Sequence, residues 1–244
     1  MKLRKATLER QRQRVQDLSA RFQECHEAFL TSELFSGPSL HFHRRTIGRL
    51  RSHVTARAVF DDDQYFECLY ATLTAWGLHR MGPGNAKLTD FQTFKSNSRS
   101  LFEGLASFFG RSILTLTDQG VTEVCAAIGR AIEDQTGLTR AESVLVANTK
   151  AVHHFLPDLV PPIDRSYTLW FFFERTEPPG PAKDVFGCIF ERFAEIARQH
   201  ASSISGVAAD SPGAPAAGAW DSGHAKVLDN ALVGWVRLRR KAGP

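Results

Sequence analysis

The chain has 244 residues, of which 43% are hydrophobic and 23% are charged, a composition typical of one globular domain with a sizeable core. Its N-terminus is charged throughout, and no window approaches 18 uncharged apolar residues. These features exclude a secretory signal and a membrane span, and we expect a cytoplasmic protein. The formal net charge of +4 suits an acidic partner such as DNA without requiring one.

Four cysteines are scattered along the chain without a CxxC pair: Cys25, Cys68, Cys125 and Cys188. Each has apolar, helix-forming neighbours, which favours small buried side chains over disulfides or metal ligands. We therefore assign no residue to a metal site and predict no cofactor. The sequence leaves the oligomeric state open.

The N-terminal segment predicts one long polar helix over residues 2–30, within a basic N-terminal unit at 1–35. Basic side chains crowd its first half, and two interpretations are open. The helix is either an arm that lies on a phosphate backbone or a solvated helix face. A second basic cluster, which includes Arg44 and Arg45, follows the breaker Gly37-Pro38.

Residues 36–200 are predicted to form the core of a single all-α domain, because amphipathic helical segments alternate with Gly and Pro breakers. The most apolar segment, QYFECLYATLTAWGLHRMG, is the expected central helix. An acidic triplet at 61–63 precedes it, where the helix dipole favours negative charge. Residues 201–219 are rich in Ala, Gly, Ser and Pro and predict a flexible linker or a long loop. A C-terminal helix at 220–244 is expected to dock on the core.

The stretch NTKAVHHFLPDLVPPIDRSYT, residues 148–168, combines a lysine, two histidines, three prolines and an Asp-Arg pair. The prolines end one helix and restrict the backbone that follows, which predicts an elbow between two helices. Asp164 lies where the next helix begins, so its carboxylate is expected to cap the exposed N–H groups. Alternatively, Lys150 and Asp164 face one cleft. Such a pair could activate an amine nucleophile or stabilise a cationic transition state.

The two histidines of the elbow, His153 and His154, diverge by about 100° on a helix and are poorly placed to bind one metal ion. The sequence also lacks the HExxH, GxSxG, Walker and GxGxxG patterns. Zinc hydrolases, serine hydrolases, P-loop enzymes and dinucleotide oxidoreductases therefore have no support. The elbow is left as the candidate site.

The order of a lysine-bearing helix, an elbow, P-x-x-D and a further helix resembles the catalytic region of the helix-hairpin-helix DNA glycosylases. LVANTKAV at 145–152 stands where that family has a glycine-rich hairpin, and PPIDRSY at 161–167 where it has the catalytic aspartate. The hairpin glycines, which allow close approach to phosphate, are absent here. The lysine-to-aspartate interval is shorter, Arg165 follows the aspartate, and no cysteine quartet for an iron–sulfur cluster follows. The stretch also resembles a Lys…P-x-x-D-R signature of uncharacterised bacterial proteins that share an Ala-Trp-Gly segment.

The glycosylase resemblance implies a DNA-associated function of the base-excision type. Asp164 would stabilise the positive sugar as the base leaves, and Lys150 would be the nucleophile or a phosphate contact. Trp76 or Tyr167 would stack on an extruded base or, alternatively, belong to the core. Contacts to the DNA backbone would come from basic residues: Arg44, Arg45, Lys87 and Arg165.

Two alternatives stay open beside the glycosylase hypothesis. The first is a non-catalytic nucleic-acid-binding module, in which the basic termini supply affinity without base reading. The second is a structural or protein-interaction domain without a pocket. In that domain Asp164 only caps a helix, and Arg165 pairs with a buried carboxylate such as Asp229.

Overall fold

Helical segments that alternate with helix-ending residues produce twelve α-helices in the described part of the chain. The computed structural model describes residues 5–32, 37–78, 88–140, 144–207 and 220–241. The helices of the first half are α1 (Lys5–Ala20), α2 (Phe22–Leu30), α3 (Pro38–Arg51), α4 (Ala56–Phe60), α5 (Asp63–Leu73) and α6 (Phe91–Glu103). Those of the second half are α7 (Asp118–Asp134), α8 (Val144–Phe155), α9 (Trp170–Phe173), α10 (Ala182–Gln199), α11 (Ala201–Val207) and α12 (His224–Lys241).

The described residues contain no strand, only an isolated bridge between Leu88 and Thr139. One large hydrophobic cluster draws on helices from both halves of the chain, so the prediction of a single all-α domain is confirmed. None of the described helices is both long and apolar enough to cross a membrane.

An aromatic stack shows how the helices share this core. Phe66 of α5, Phe102 of α6 and Phe155 of α8 are all buried. The rings of Phe66 and Phe102 lie 6.2 Å apart, and those of Phe102 and Phe155 lie 4.6 Å apart, both pairs stacked. Buried aromatic rings contribute large apolar areas and specific pair geometry. The stack therefore places α5 inside the core, as its apolar sequence predicts.

The acidic triplet marks the start of α5, as the charge pattern predicts. Asp62 accepts a hydrogen bond from the N–H of Gln64 at 3.1 Å. The same carboxylate binds Arg49 at 2.9 Å and His53 at 2.7 Å. Burial acts to raise the pKa of Asp62, but these hydrogen bonds outweigh it and lower the pKa to about 2.

The N-terminal segment differs from the single helix predicted over 2–30. It forms two helices, because Arg21 leaves the helical backbone at a φ of −116°. The second, α2, has four buried side chains: Phe22, Cys25, His26 and Phe29. It packs along α12, where a Cβ on Gly234 would overlap the carbonyl oxygen of Cys25. The two helices cross this closely because position 234 has no side chain.

The predicted linker at 201–219 is wrong for its first seven residues. Residues Ala201–Val207 form α11 and bury Ile204. Small residues such as Ala are strong helix formers, so composition alone does not separate them from a linker. Residues 208–219 lie outside the described residues. Beyond them, α12 buries most of its first thirteen residues, the docking expected for the C-terminal helix.

Two wide turns interrupt the helices and create room at the surface. One, Thr74–Leu78, continues α5 but leaves helical geometry at Trp76 and Gly77. Gly77 has a φ of 85°, which glycine adopts without the steric cost that other residues incur. The other, Arg165–Leu169, leads from the proline elbow into α9. Both turns line the cleft described next.

Candidate functional site

A cleft of about 280 Å³ opens between the two wide turns. It lies near the lower end of the volume range of small-molecule sites, so it suits a compact ligand or a single flat ring system. Four aromatic residues line it: Phe29, Trp76, Tyr167 and Trp220. Four charged residues also line it: Lys150, Asp164, Lys226 and Asp229.

The elbow is held rigidly on one side of this cleft. The N–H groups of Leu159 and Val160 both donate to the carbonyl oxygen of Leu156 after α8 ends. Further along, the N–H of Ile163 donates to Thr149 Oγ1 at 3.3 Å. Proline removes backbone donors and restricts φ, so these few bonds suffice to fix the extended segment against α8.

Asp164 begins the turn that follows the elbow, as its position in the sequence predicts. Its Oδ1 accepts a hydrogen bond from the N–H of Tyr167 at 2.6 Å, and its own N–H donates to Thr168 Oγ1 at 3.2 Å. The cap orients the carboxylate on the cleft wall. A capping role and a place in the cleft thus belong to the same side chain.

Lys150 reaches the same cleft from α8. Its Nζ donates to the carbonyl oxygen of Trp76 at 3.3 Å and lies 5.8 Å from the centre of the Trp76 ring. The carbonyl belongs to the turn at Thr74–Leu78, where helical hydrogen bonding is interrupted. The ammonium is therefore fixed between the turn and the ring, a geometry in which cation–π attraction contributes.

A second lysine–aspartate pair lines the cleft from α12. Lys226 Nζ lies 2.6 Å from Asp229 Oδ2 and 2.6 Å from Asn230 Oδ1. Three rings surround the ammonium at 5.4–5.9 Å, those of Phe29, Trp76 and Trp220. Burial raises the pKa of Asp229 above its ordinary value, and the nearby Lys226 only partly offsets this.

Buried histidines form the floor below Lys150. His154 Nδ1 lies 2.7 Å from the Lys150 carbonyl oxygen, and its Nε2 lies 3.0 Å from His43 Nδ1. His43 Nε2 lies 2.7 Å from Ser222 Oγ. A carbonyl only accepts, so His154 carries its proton on Nδ1 and accepts at Nε2. His43 must then donate from Nδ1 and accept from the Ser222 hydroxyl.

This chain of hydrogen bonds requires neutral imidazoles. Burial lowers the pKa of His154 to about 4. Burial, together with the neighbouring histidine, lowers the pKa of His43 well below its ordinary value. Burial has the same effect on the pKa of His153, whose Nδ1 lies 2.8 Å from the Val160 carbonyl oxygen. These histidines, which lie behind the residues that line the cleft, are thus uncharged at neutral pH.

The His43 ring also organises the aromatic wall. It stacks on Trp76 at 5.3 Å and on Trp220 at 5.1 Å between ring centres. The indole N–H of Trp76 donates to the Ser39 carbonyl oxygen at 3.3 Å. The two tryptophans are therefore held by α3, although they lie far apart in the chain.

Of the basic residues predicted to contact DNA, Arg44, Arg45 and Arg165 do not line this cleft. Arg44 and Arg45 are exposed on α3, and Arg45 lines a separate shallow depression. Arg165 lies 2.9 Å from the exposed Glu177, so the expected partner Asp229 is wrong. Lys87 lies outside the described residues. The structural alternative predicts that no pocket is present, whereas a cleft exists at the elbow.

Sequence reasoning missed the α12 half of the cleft. Lys226 and Asp229 are three residues apart in a helix that is otherwise apolar at its start. A charged pair with this spacing shares one helix face, which was the available signal. Trp220 had no comparable signal, because its place in the cleft depends on how α12 docks. Asp221 supports this end by accepting from His26 and Asn230.

No protein-family model matches the chain, and neither a curated protein nor a solved structure matches it. Within the residues that the structure describes, no group of three or more His, Cys, Asp or Glu side chains could hold a metal ion. All four cysteines are free, but the prediction that they are buried holds only for Cys25, because Cys68, Cys125 and Cys188 are half-buried.

Proposed function

We propose that the protein acts on DNA as a diverged base-excision glycosylase, with the reacting nucleotide held in the cleft at the elbow. The observation that carries the proposal is that Lys150 and Asp164 line one cleft whose other wall is aromatic. A flat base is complementary to such a wall, and extruded bases stack between aromatic side chains in enzymes that act on them.

The proposed chemistry assigns one role to each member of the elbow pair. Asp164 stabilises positive charge on the sugar as the bond from C1′ to the base breaks. Lys150, once its ammonium has passed a proton to Asp164, forms a bond from Nζ to C1′. Asp164 passes this proton on to the departing base, which leaves as a neutral ring, so that Asp164 is again a carboxylate beside the positive sugar. The proton for the next step comes from the Lys150 nitrogen, which carries a positive charge after it bonds to C1′. Opening of the sugar ring at O4′, which takes a proton, leaves an imine between Lys150 and C1′.

The remaining lining residues bind and exclude water. Trp76 and Trp220 offer ring faces to the base, while the Lys226–Asp229 pair presents fixed charge at the α12 side. The neutral histidines below keep additional positive charge away from the Lys150 backbone. A partly enclosed, low-dielectric site strengthens each of these electrostatic effects.

A duplex with one abasic site tests whether Lys150 is a nucleophile. It does so without knowledge of which base the protein removes, because the base is already absent. Its C1′ is an aldehyde, so Lys150 can form the imine directly, and borohydride reduces the imine to a stable covalent adduct. We expect an adduct with the wild-type protein and with Lys183→Ala, whose half-exposed lysine pairs with Glu133 elsewhere on the surface. Lys150→Ala should give none. Equal trapping by Lys150→Ala, or no adduct at all, would contradict the role of Lys150.

A panel of duplexes with single damaged or deaminated bases tests the glycosylase step itself. Excision of at least one base, lost in Asp164→Asn, is the expected result. Binding of the duplexes without excision of any base in the panel would instead favour the non-catalytic nucleic-acid-binding module.

A further inference from the structure

A second groove, of about 250 Å³, lies between α1, the segment around α9, and the end of α12. Six residues line it: Arg10, Gln13, Arg14, Trp170, Trp235 and Arg239. We call it the arginine–tryptophan groove. None of its lining residues takes part in the chemistry assigned to the cleft.

Arg240 connects the groove with the cleft. Its guanidinium carbon lies 5.3 Å from the ring centre of Tyr167, which lines the cleft, and 5.5 Å from that of Trp170, which lines the groove. It also donates to the Ser166 carbonyl oxygen at 2.8 Å. A ligand that extends from one cavity to the other would therefore pass this side chain.

The floor of the groove is built before any ligand arrives. Arg14 donates to the Phe171 carbonyl oxygen at 2.7 Å and lies over the Trp170 ring at 5.4 Å. Trp235 is buried, and its indole N–H donates to Asp17 Oδ2 at 2.7 Å. These contacts make Arg14 and Trp235 fixed parts of the fold.

The rim of the groove is exposed and positively charged. The Arg10 side chain is 52% exposed and pairs with Glu174 at 3.0 Å. The Arg239 side chain is 59% exposed, lies 5.3 Å from the Trp235 ring centre, and approaches Asp17 only to 3.8 Å. Exposed ion pairs contribute little free energy, so an external anion can compete for these guanidinium groups.

The charge balance favours an anion. Four arginines face the groove and its edge, against two carboxylates: Arg10, Arg14, Arg239 and Arg240 against Asp17 and Glu174. Guanidinium groups are weakly hydrated and match phosphate geometry with paired donors, and they also stack on aromatic rings. Phosphate groups next to a flat ring therefore fit this surface better than carboxylates of an acidic peptide, which would leave the ring unused.

We propose that the arginine–tryptophan groove binds single-stranded DNA, with phosphates on Arg10 and Arg239 and an unpaired base at Trp170. Trp170 is half-buried, and the guanidinium groups of Arg14 and Arg240 lie over its ring, so a base can stack on the outer face of the exposed Arg240. Paired bases hide their faces inside the duplex, so this contact selects an unpaired strand. The groove would hold the strand beside a nucleotide in the cleft, but its binding does not depend on chemistry there.

The test is fluorescence anisotropy with a labelled oligothymidylate and a duplex of the same length across a salt series. We expect tighter binding of the single strand and a salt slope of about −1.4, since each of two phosphate contacts contributes about −0.7. Arg239→Gln should reduce the slope by about 0.7. Arg57→Gln, which removes an exposed arginine from α4, is the matched control and should change nothing.

Two further variants separate binding from folding. Trp170→Ala should weaken binding roughly 5- to 100-fold through lost stacking. Glu174→Gln removes a carboxylate that competes for Arg10 and should tighten binding, an effect that misfolding cannot produce. The proposal is overturned if Arg239→Gln and Arg57→Gln behave alike, if the duplex binds as tightly as the single strand, or if polyglutamate displaces the oligonucleotide at equal charge concentration.

The outcomes distinguish the groove from the cleft. Arg239→Gln should weaken binding of the oligonucleotide whether or not the wild type excises a base. Excision that survives Arg239→Gln while oligonucleotide binding falls would leave both proposals standing. Oligonucleotide binding without excision would remove only the function proposed for the cleft.

Discussion

The cleft contains two lysine–aspartate pairs that the fold treats in opposite ways. On α12, Lys226 and Asp229 are one turn apart, contact each other at 2.6 Å, and are only 5% and 6% exposed. At the elbow, Lys150 and Asp164 come from different elements, and the described contacts of each are to backbone groups at the turns. The first pair neutralises itself within the wall. The second places an amine and a carboxylate from two different elements in the same cleft.

The contrast shows that residue type alone does not identify a reactive group in this cleft. A buried ion pair is costly to desolvate and mainly specifies local structure. The function proposed for the cleft instead assigns proton transfer to the elbow pair, Lys150 and Asp164.

Gly234→Ala should have the largest effect on stability, because it disrupts the packing of α12, the helix that carries Lys226 and Asp229. The new Cβ would overlap the backbone of Cys25, which cannot move as a flexible side chain could. We expect a loss of more than about 4 kcal/mol in the free energy of unfolding, measured by urea denaturation. Gly48→Ala on α3 is the control, since open space surrounds its Cβ position. It should stabilise the protein by about 0.5–1 kcal/mol.

Acid should destabilise the protein through the buried histidines that lie below Lys150. Folding lowers the pKa of the three histidines below Lys150, namely His43, His153 and His154, and that of His154 falls from 6.5 to about 4. The contribution of these neutral histidines to the free energy of unfolding is therefore fully present above pH 6.5. It is lost as the pH falls towards 4, because the unfolded chain then binds protons at histidines that stay neutral in the folded chain. Three protons correspond to about 4 kcal/mol per pH unit at the steepest point.

A pH series of urea denaturations checks this slope. Replacing the exposed His41 with Gln should leave the profile unchanged, whereas His43→Gln should flatten it. A flat profile between pH 6.5 and 4 in the wild type would show that the floor tolerates charge.

Lys226→Met should destabilise the protein by about 3 kcal/mol, because it leaves the Asp229 carboxylate buried without its partner. The loss should shrink at lower pH, where the carboxyl group, whose pKa burial already raises, takes up a proton. The double variant Lys226→Met, Asp229→Leu should recover most of the loss. If the single variant unfolds at the same urea concentration as the wild type, the pair does not serve as a structural wall.

The elbow pair should have the smallest effect on stability. Lys150→Met and Asp164→Asn should each change the free energy of unfolding by less than about 1 kcal/mol, because asparagine retains the cap and Lys150 is only half-buried. Base excision should fall about 100-fold or more in the same variants. Destabilisation as large as that of Lys226→Met would show that both pairs are structural.

Several features of the site were predictable because they depend on neighbours in the chain. Proline restricts the residues around it, so the elbow at Pro157, Pro161 and Pro162 follows from local rules. Asp164 is a cap because a carboxylate at a helix start finds exposed N–H groups. The four free cysteines and the acidic start of α5 follow from equally local patterns.

Other features depend on contacts that no local pattern encodes. The helix predicted over residues 2–30 is interrupted at Arg21 despite its helix-forming sequence. Residues Ala201–Val207 form a helix, with Ile204 buried, where composition predicts none. Arg44 and Arg45 form a dense basic cluster in the sequence. On α3, however, it is the buried His43 that faces the tryptophans, and the two arginines are exposed away from the cleft. Charge density along a chain does not determine which face of a helix it occupies.

The spacing of hydrophobic residues in the sequence was enough to predict an all-α protein. The conformational preferences of proline and of capping residues were enough to predict an elbow with a lysine, a capping aspartate and rigid prolines. The folded chain was needed to show that Lys226, Asp229 and Trp220 complete the cleft, and that Arg10 and Arg239 meet across a second groove. Residues more than two hundred positions apart become neighbours when α12 docks against the N-terminal helices. That docking depends on side-chain shape and on the missing Cβ of Gly234, which a one-dimensional pattern does not reveal.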